Sequence, residues 1–256
     1  MEMNTKALRQ LWQQEEAAAF EGWDFSRLIG RWQESALPWD YRSLVLEALS
    51  PQARLLDMGT GGGEFLLTLG HPPRLTSVTE GYPPNLALCR RRLAPLGITV
   101  CPAGEDDALP FGDSAFDLII NRHESFDPAE VYRCLRPSGQ FITQQVGACN
   151  NRSLSMRLIE GYTSPYPHHT LTENARLLRQ AGFEIFQAQE EYPPLRFFDV
   201  GAIVYYAKII EWEFPGFSVD VCFDRLLALQ ADIQRDCWVE TKEHRFVISC
   251  RKPLIG

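Results

Sequence analysis

The stretch Leu55-Leu56-Asp57-Met58-Gly59-Thr60-Gly61-Gly62-Gly63-Glu64-Phe65 places an acid directly before a run of glycines. Gly59, Gly61 and Gly63 permit a tight turn and let backbone N–H groups come close to a ligand. Asp57, two residues before the first of them, can attract a cationic ligand directly or through water, whereas it would repel a pyrophosphate. A second acid, Glu80, follows Gly63 by 17 residues, close to the roughly 20-residue spacing of a βαβ unit. A carboxylate at that point can accept hydrogen bonds from both hydroxyls of a ribose. The third glycine of the dinucleotide fingerprint falls on Glu64. Asp57 and Glu64 together therefore weigh against an NAD-dependent oxidoreductase.

These residues need strands and helices to hold them. Arg54 to Met58 predicts a short strand entering the glycine loop, and Leu75 to Thr79 a second one. Asn85 to Leu96 predicts a helix that stops at Gly97, and Ile98 to Cys101 a third strand. Phe116 to Asn121 is a fourth strand, Pro128 to Leu135 a helix, and Gln140 to Val146 a fifth strand after the Pro-Ser-Gly turn at 137–139. Thr172 to Ala181 predicts a helix with Thr172 as N-cap and Gly182 as its stop. Phe183 to Gln187 and His244 to Cys250 complete seven strands. Strands alternating with helices over about a hundred residues imply βαβ units and a parallel sheet. Residues 4 to 20 predict an N-terminal helix, residues 40 to 49 a second one capped by Asp40, and Phe223 to Cys237 a helix within a long insertion.

The order Leu-Leu-Asp-Met-Gly-Thr-Gly-Gly-Gly, then Val-Thr-Glu80, then Gly104-Glu105-Asp106-Asp107-Ala-Leu-Pro-Phe, then Phe116-Asp117-Leu-Ile-Ile-Asn resembles the class I S-adenosylmethionine-dependent methyltransferases. Arg133-Cys-Leu-Arg-Pro-Ser-Gly-Gln-Phe is similar to the family's helix, turn and fifth strand. The resemblance covers residues 50–147 closely, and 171–187 and 244–252 more loosely. It implies an α/β fold: a Rossmann-like, doubly wound, mostly parallel seven-stranded sheet, its last strand antiparallel, with helices on both faces. It also implies S-adenosyl-L-methionine as cofactor. Gly59, Gly61 and Gly63 would pass beside its methionine part, and Asp57 would favour its ammonium group. Glu80 would bind the ribose diol, and Gly81 and Tyr82 would flank the adenine. Glu105 matches the acid that takes the adenine amino group, with the Asp106 backbone beside it, although the family usually carries Asp there. Asn121 would line the sulfonium end.

Methyl transfer is an in-line displacement that needs alignment, exclusion of water and sometimes removal of a proton. His123, just past the fourth strand, is the candidate general base, because histidine titrates near neutral pH. The alternative for His123 is a structural hydrogen bond in a loop. His168-His169 is either a pocket lining or a turn, and with no third ligand no metal site is expected. Asn121-Arg122-His123-Glu124 stands where the family's amino-methylating members carry Asn-Pro-Pro-Tyr, which argues against nucleobase amino methylation. Eight aromatics between 192 and 217 could join the aromatic N-terminal segment as a lid over a small, partly apolar substrate, or could simply pack the insertion. The expected organisation is one methyltransferase domain over residues 1–256. It comprises an N-terminal helical lid segment (1–49), a cofactor-binding core (50–187 and 244–252) and an aromatic-rich insertion (188–243).

The net charge is −8 and only four lysines occur, so the basic face of a nucleic-acid-binding protein is missing and no nucleic acid is expected as partner. Arg90-Arg91-Arg92 reads as a solvated helix face. Seven scattered cysteines without CxxC spacing suit a reducing cytoplasm. No apolar stretch is long enough to span a membrane, and the N-terminus lacks a secretory h-region. A small-molecule methyl acceptor is expected. An RNA or protein methyltransferase, and a non-catalytic cofactor-binding partner protein, are the alternatives.

Overall fold

A computed structural model describes residues 4–20, 25–104 and 108–254. In chain order the elements begin with α1 (Thr5–Glu16), β1 (Trp32–Glu34), α2 (Tyr41–Ala48), β2 (Leu55–Met58), α3 (Glu64–Leu67), β3 (Thr76–Glu80), α4 (Pro83–Arg92) and β4 (Thr99–Pro102). They continue with β5 (Phe116–Arg122), α5 (Pro128–Cys134), β6 (Leu135–Val146), α6 (Arg152–Leu158), α7 (Leu171–Gln180) and β7 (Glu184–Glu191). The last are β8 (Pro194–Phe197), α8 (Val200–Ile209), α9 (Val219–Asp236), β9 (Val239–Lys242) and β10 (Arg245–Arg251). The chain forms two compact units. One comprises Pro38–Gly147, His169–Glu190 and Arg245–Gly256, and the other Met1–Leu37, Ala148–His168 and Glu191–His244.

The first unit is built on a seven-stranded sheet of order β4-β3-β2-β5-β6-β10-β7. The pairs β2–β3, β3–β4, β2–β5 and β5–β6 are parallel, and β10 is antiparallel to β6. This is the mostly parallel, doubly wound sheet that the strand–helix alternation implies. Its central strands read as nearly continuous apolar runs because both faces are covered. Leu56, Met58, Ile119, Phe141, Phe246 and Ile248 pack with Val131 and Cys134 of α5 and Ala175 and Leu178 of α7. Leu55, Leu118 and Ile120, of the opposite parity, are equally buried. Toward that second face α2 anchors through Tyr41, whose hydroxyl donates to the Asn121 carbonyl at 3.0 Å, while α4 packs on β3 and β4.

Helix boundaries follow their caps. Asp40 caps α2 as expected, accepting from the N–H groups of Arg42 and Ser43. For α7 the cap is Thr170, accepting from Glu173 N–H, rather than Thr172. Thr170 with Glu173 three residues on satisfies the capping-box spacing, which Thr172 does not. The helix expected over 85–96 starts earlier, with Pro83 in its first turn, and its end tightens into a 3-10 turn over Ala94–Leu96 around Pro95. Gly97, at φ +93°, closes it as expected.

The second unit holds a three-stranded antiparallel sheet of order β1-β8-β9 with α1, α6, α8 and α9. The sequence pattern predicts α1 and most of α9 but not the strands, α6 or α8. Val200 through Ala207 of α8 are all buried, so the helix shows no polar stripe by which a pattern could reveal it. The unit has its own core, including Trp12, Leu28, Phe197, Ile203, Tyr206, Phe214 and Leu226. Of the insertion's aromatics, Phe197, Tyr205, Tyr206 and Phe214 are buried in that core, while Tyr192, Phe198 and Trp212 are exposed. Residues 38–49 fall in the sheet unit and residues 148–168 in the other.

Candidate cofactor and acceptor site

The glycine loop joins β2 to α3, and the two sequence-identified acids stand at the C-terminal ends of adjacent strands. Asp57 pairs in register with Val78, so by strand alternation Asp57, Val78 and Glu80 point to one face of the sheet. Both acids are buried, 4% and 5% exposed. Gly59, Gly61 and Gly63 take φ of +64°, +64° and +79°, a region that favours glycine. A Cβ on Gly59 would stand 2.5 Å from the Glu124 side chain, and one on Gly63 2.8 Å from Leu93. The loop is therefore held from both sides.

The acids also shape the loop. Asp57 Oδ2 accepts from the Thr60 hydroxyl at 2.6 Å. The Glu80 carboxylate accepts from Gly61 N–H and Tyr82 N–H, both at 2.8 Å. The Cys89 thiol donates to the Gly61 carbonyl, and Arg92 to the Gly62 carbonyl. Arg90, Arg91 and Arg92 are all exposed, as a solvated arginine face requires, and Arg92 in addition reaches the loop through the Gly62 carbonyl.

Two buried carboxylates so close to one loop carry an electrostatic cost. Burial pushes the Asp57 carboxyl up to about 7; the Thr60 hydrogen bond and the Arg122 charge oppose the rise, and Glu80 adds to it. Among the described residues neither Asp57 nor Glu80 forms an ion pair. A ligand that brings a positive charge to Asp57 and hydroxyl donors to Glu80 would meet both needs, since each Glu80 oxygen accepts only one hydrogen bond and keeps acceptor capacity.

Asn121, at the end of β5, lies on the opposite face from Asp57. It is fully buried, and its Oδ1 accepts from the Thr143 hydroxyl and from Gln145 Nε2. Its Nδ2 has no hydrogen-bond partner among the described residues. A buried donor left open costs about 1–3 kcal/mol, which an acceptor atom of a bound ligand would relieve. Gly81 is exposed, with its nearest clash-forming neighbour, Ala103 Cβ, at an ordinary 3.5 Å from a built Cβ. Tyr82 beside it is 61% exposed. Glu105 and Asp106 lie outside the described residues.

His123 follows β5 with φ +66°, the left-handed region that non-glycine residues seldom adopt. Its N–H donates to the Gln144 carbonyl at 2.8 Å, and its Nε2 is 3.2 Å from Gln144 Nε2. His123 is solvent-exposed; desolvation by its neighbours and the charges of Arg245 and Arg122 lower it from the usual histidine range, and the two guanidinium groups disfavour the protonated ring. His169 belongs to the same unit: its ring lies 5.5 Å from that of Phe246, and its Nε2 is 3.3 Å from Gln145 Oε1.

Trp39 and Tyr41 stand out in the sequence only as part of the aromatic N-terminal segment, and Thr143, Gln144 and Gln145 not at all as site residues. Trp39 Nε1–H donates to Gln144 Oε1 at 2.8 Å. The available signal was Gln144-Gln145, a pair of amides at the end of an apolar strand. Register places Gln144 opposite Arg122 and Thr143 opposite Asn121.

A methyltransferase-domain family model matches residues 56–143, which include the glycine loop, both acids and β5. Malonyl-[acyl-carrier protein] O-methyltransferase from Methylococcus capsulatus is 32% identical over 147 residues, covering 52% of this chain and 52% of that protein. Demethylmenaquinone methyltransferase from Thermus thermophilus is 32% identical over 116 residues, covering 41% of this chain and 53% of that protein. The chain thus spans about half the length of these curated relatives. The YcgJ protein from Bacillus subtilis shares the fold at a TM-score of 0.56 and 17% identity, over 84% of this chain and 99% of that one. The motif order and the family match agree, the fold accommodates both, and S-adenosyl-L-methionine is the cofactor they imply. Residues 56–143 therefore match a methyltransferase domain, and the motifs of the chain resemble those of the class I S-adenosylmethionine-dependent methyltransferases.

Proposed function

We propose that this protein transfers a methyl group from S-adenosyl-L-methionine to a small-molecule acceptor. The observation that carries the reading is the pair of buried acids, Asp57 and Glu80, closing a glycine loop at the ends of adjacent parallel strands. The cofactor supplies an electrophilic methyl group on a cationic sulfur. In this reading Asp57 binds the ammonium, Glu80 the ribose hydroxyls, and Gly59, Gly61 and Gly63 admit the methionine part. Gly81, Glu105 and Asp106 serve the adenine, and Asn121 faces the reacting end. His123 is assigned to the acceptor. A general-base role is disfavoured by the adjacent arginines, which oppose protonation of the ring, and the other role open to it is a hydrogen bond to the acceptor.

The arginines support a small acceptor over RNA, because much of the protein's positive charge is spent in pairs such as Arg133 with Glu130, Arg157 with Asp232 and Arg225 with Glu160. The relatives named for malonyl-[acyl-carrier protein] and for demethylmenaquinone support methyl transfer, and their differing acceptors leave the choice to this chain's own residues. No described helix is long and apolar enough to cross a membrane. The seven cysteines are free, which suits the reducing cytoplasm proposed as its location.

The test is calorimetric titration with S-adenosylhomocysteine, then an assay of its formation from S-adenosylmethionine with metabolite pools. Asp57→Ala and Glu80→Ala are each expected to weaken binding at least about tenfold, or ~1.4 kcal/mol. Unchanged affinity in both variants would overturn the site assignment. Tight binding with no turnover on any pool would favour a non-catalytic cofactor-binding protein.

A further inference from the structure

An indole N–H can only donate a hydrogen bond. Trp39 Nε1–H donates to Gln144 Oε1 at 2.8 Å, which fixes the orientation of that amide. The other end of the amide, Nε2, is therefore a donor, and it stands 3.2 Å from His123 Nε2. His123 Nε2 must accept, and in the neutral ring the proton then sits on Nδ1. Among the described residues Nδ1–H has no partner. Trp39 and Gln144 thus make His123 a hydrogen-bond donor, with its Nε2 lone pair already engaged.

Arg122, the preceding residue, is exposed, and its Cζ lies 4.8 Å from the centroid of the Phe65 ring. Among the described residues its guanidinium enters no ion pair, in a protein where many arginines do. Its charge is felt at Asp57, Tyr41 and His123, yet among the described residues no ion pair joins it to Asp57. Asn121, Arg122 and His123 follow one another at the end of β5, so an aromatic-backed cation and a fixed neutral donor adjoin the residue assigned to the reacting end.

We propose, building on the methyltransferase reading above, that the acceptor carries a carboxylate, bound by the Arg122 guanidinium and by His123 Nδ1–H, with Trp39 and Gln144 as positioning residues. A guanidinium matches a carboxylate in two-point geometry. A dianionic phosphate fits less well, because Arg122 offers a single guanidinium and the buried acids Asp57 and Glu80 lie in the same strand-end region.

Two measurements test this. The first is saturation-transfer NMR with straight-chain monocarboxylates and benzoate, each against its primary amide, on the protein with and without S-adenosylhomocysteine. Carboxylates are expected to bind and amides not, with affinity falling at least about tenfold in Arg122→Gln while S-adenosylhomocysteine binding is retained. Absence of carboxylate binding, equal binding of the amides, or binding that persists in Arg122→Gln would overturn the proposal. The second is the imidazole ¹⁵N spectrum. Wild type is expected to show the Nδ1–H tautomer of His123. Gln144→Glu, which can only accept, should shift His123 to Nε2–H or imidazolium and reduce the preference for carboxylates. An Nε2–H tautomer in wild type would remove the positioning role. Failure of wild type to bind S-adenosylhomocysteine would count against the cofactor reading alone, since the carboxylate titration of the free protein still decides the anion site.

Discussion

Asp57 is identified in the sequence by its place before the glycines, but its energetic condition is not. Buried beside Glu80, its carboxyl is raised from 3.8 to about 7. The folded protein therefore holds this proton more tightly than the unfolded chain does. Stability is lost as pH rises through the window between those two values, and the loss is complete above the upper one. A shift of about three units corresponds to a cost on the order of 4 kcal/mol. Asp57→Asn keeps an acceptor for the Thr60 hydroxyl and removes the buried charge. It is expected to stabilise the free protein at pH ~8 by roughly 1–3 kcal/mol, read from denaturant midpoints, and to flatten the stability profile between acid and neutral pH. Cofactor binding should move the other way. The ligand's ammonium favours the ionised acid, so binding near neutral pH should release a proton, and affinity should rise as pH increases through the Asp57 titration. Calorimetry in buffers of differing ionisation heat counts that proton; no difference between buffers would mean that Asp57 is already ionised in the free protein.

The elements were legible to differing degrees, for physical reasons. β2, β3, β5 and the loop could be read because buried parallel strands are apolar runs and a loop that turns through positive φ needs glycine. The contribution of α2 could not be read. Asp40 announces the helix, but nothing local says that Tyr41 reaches the carbonyl of Asn121 or that Trp39 holds Gln144. Those contacts join residues 80 and 105 positions apart in the chain, and only the folded sheet brings them together. Likewise, His123 was legible as a candidate base from its position, while its tautomer depends on Trp39. Tyr41→Phe isolates the attachment of α2: the ring still packs on Phe65, at 5.3 Å between centroids, while the hydroxyl is gone. A loss of about 1 kcal/mol in unfolding free energy is expected. Gly63→Ala probes the loop itself. Positive φ and the contact with Leu93 predict a loss of roughly 1–3 kcal/mol together with weakened S-adenosylhomocysteine binding. A variant as stable as wild type would show that the loop can relax around a side chain.

For the whole molecule, the cofactor's contribution can be separated from that of the rest of the chain. The sheet unit consists of three chain segments, and so does the other unit, so neither can be excised as one continuous piece. Each has its own core. Ligand linkage supplies a measure that needs no excision. A ligand that binds only the folded state adds RT ln(1 + [L]/Kd), about 2.7 kcal/mol at a hundredfold excess over Kd. For a chain of this size each kcal/mol moves the melting temperature by roughly 2–4 °C, so S-adenosylhomocysteine at that excess should raise the midpoint by about 5–10 °C if unfolding is a single transition. If the units melt separately, only the transition of the sheet unit should move, because Asp57, the glycine loop and Glu80 all belong to it. Asp57→Ala at the same ligand concentration should lose about half of the shift, since a tenfold weaker Kd removes ~1.4 kcal/mol. Differential scanning calorimetry with hydrogen exchange would place the protection. Slowed exchange is expected at Gly61 and Tyr82, whose N–H groups already bond Glu80. A ligand-induced rise in melting temperature with no added protection in Leu55–Glu80 would mean that the ligand binds elsewhere on the chain.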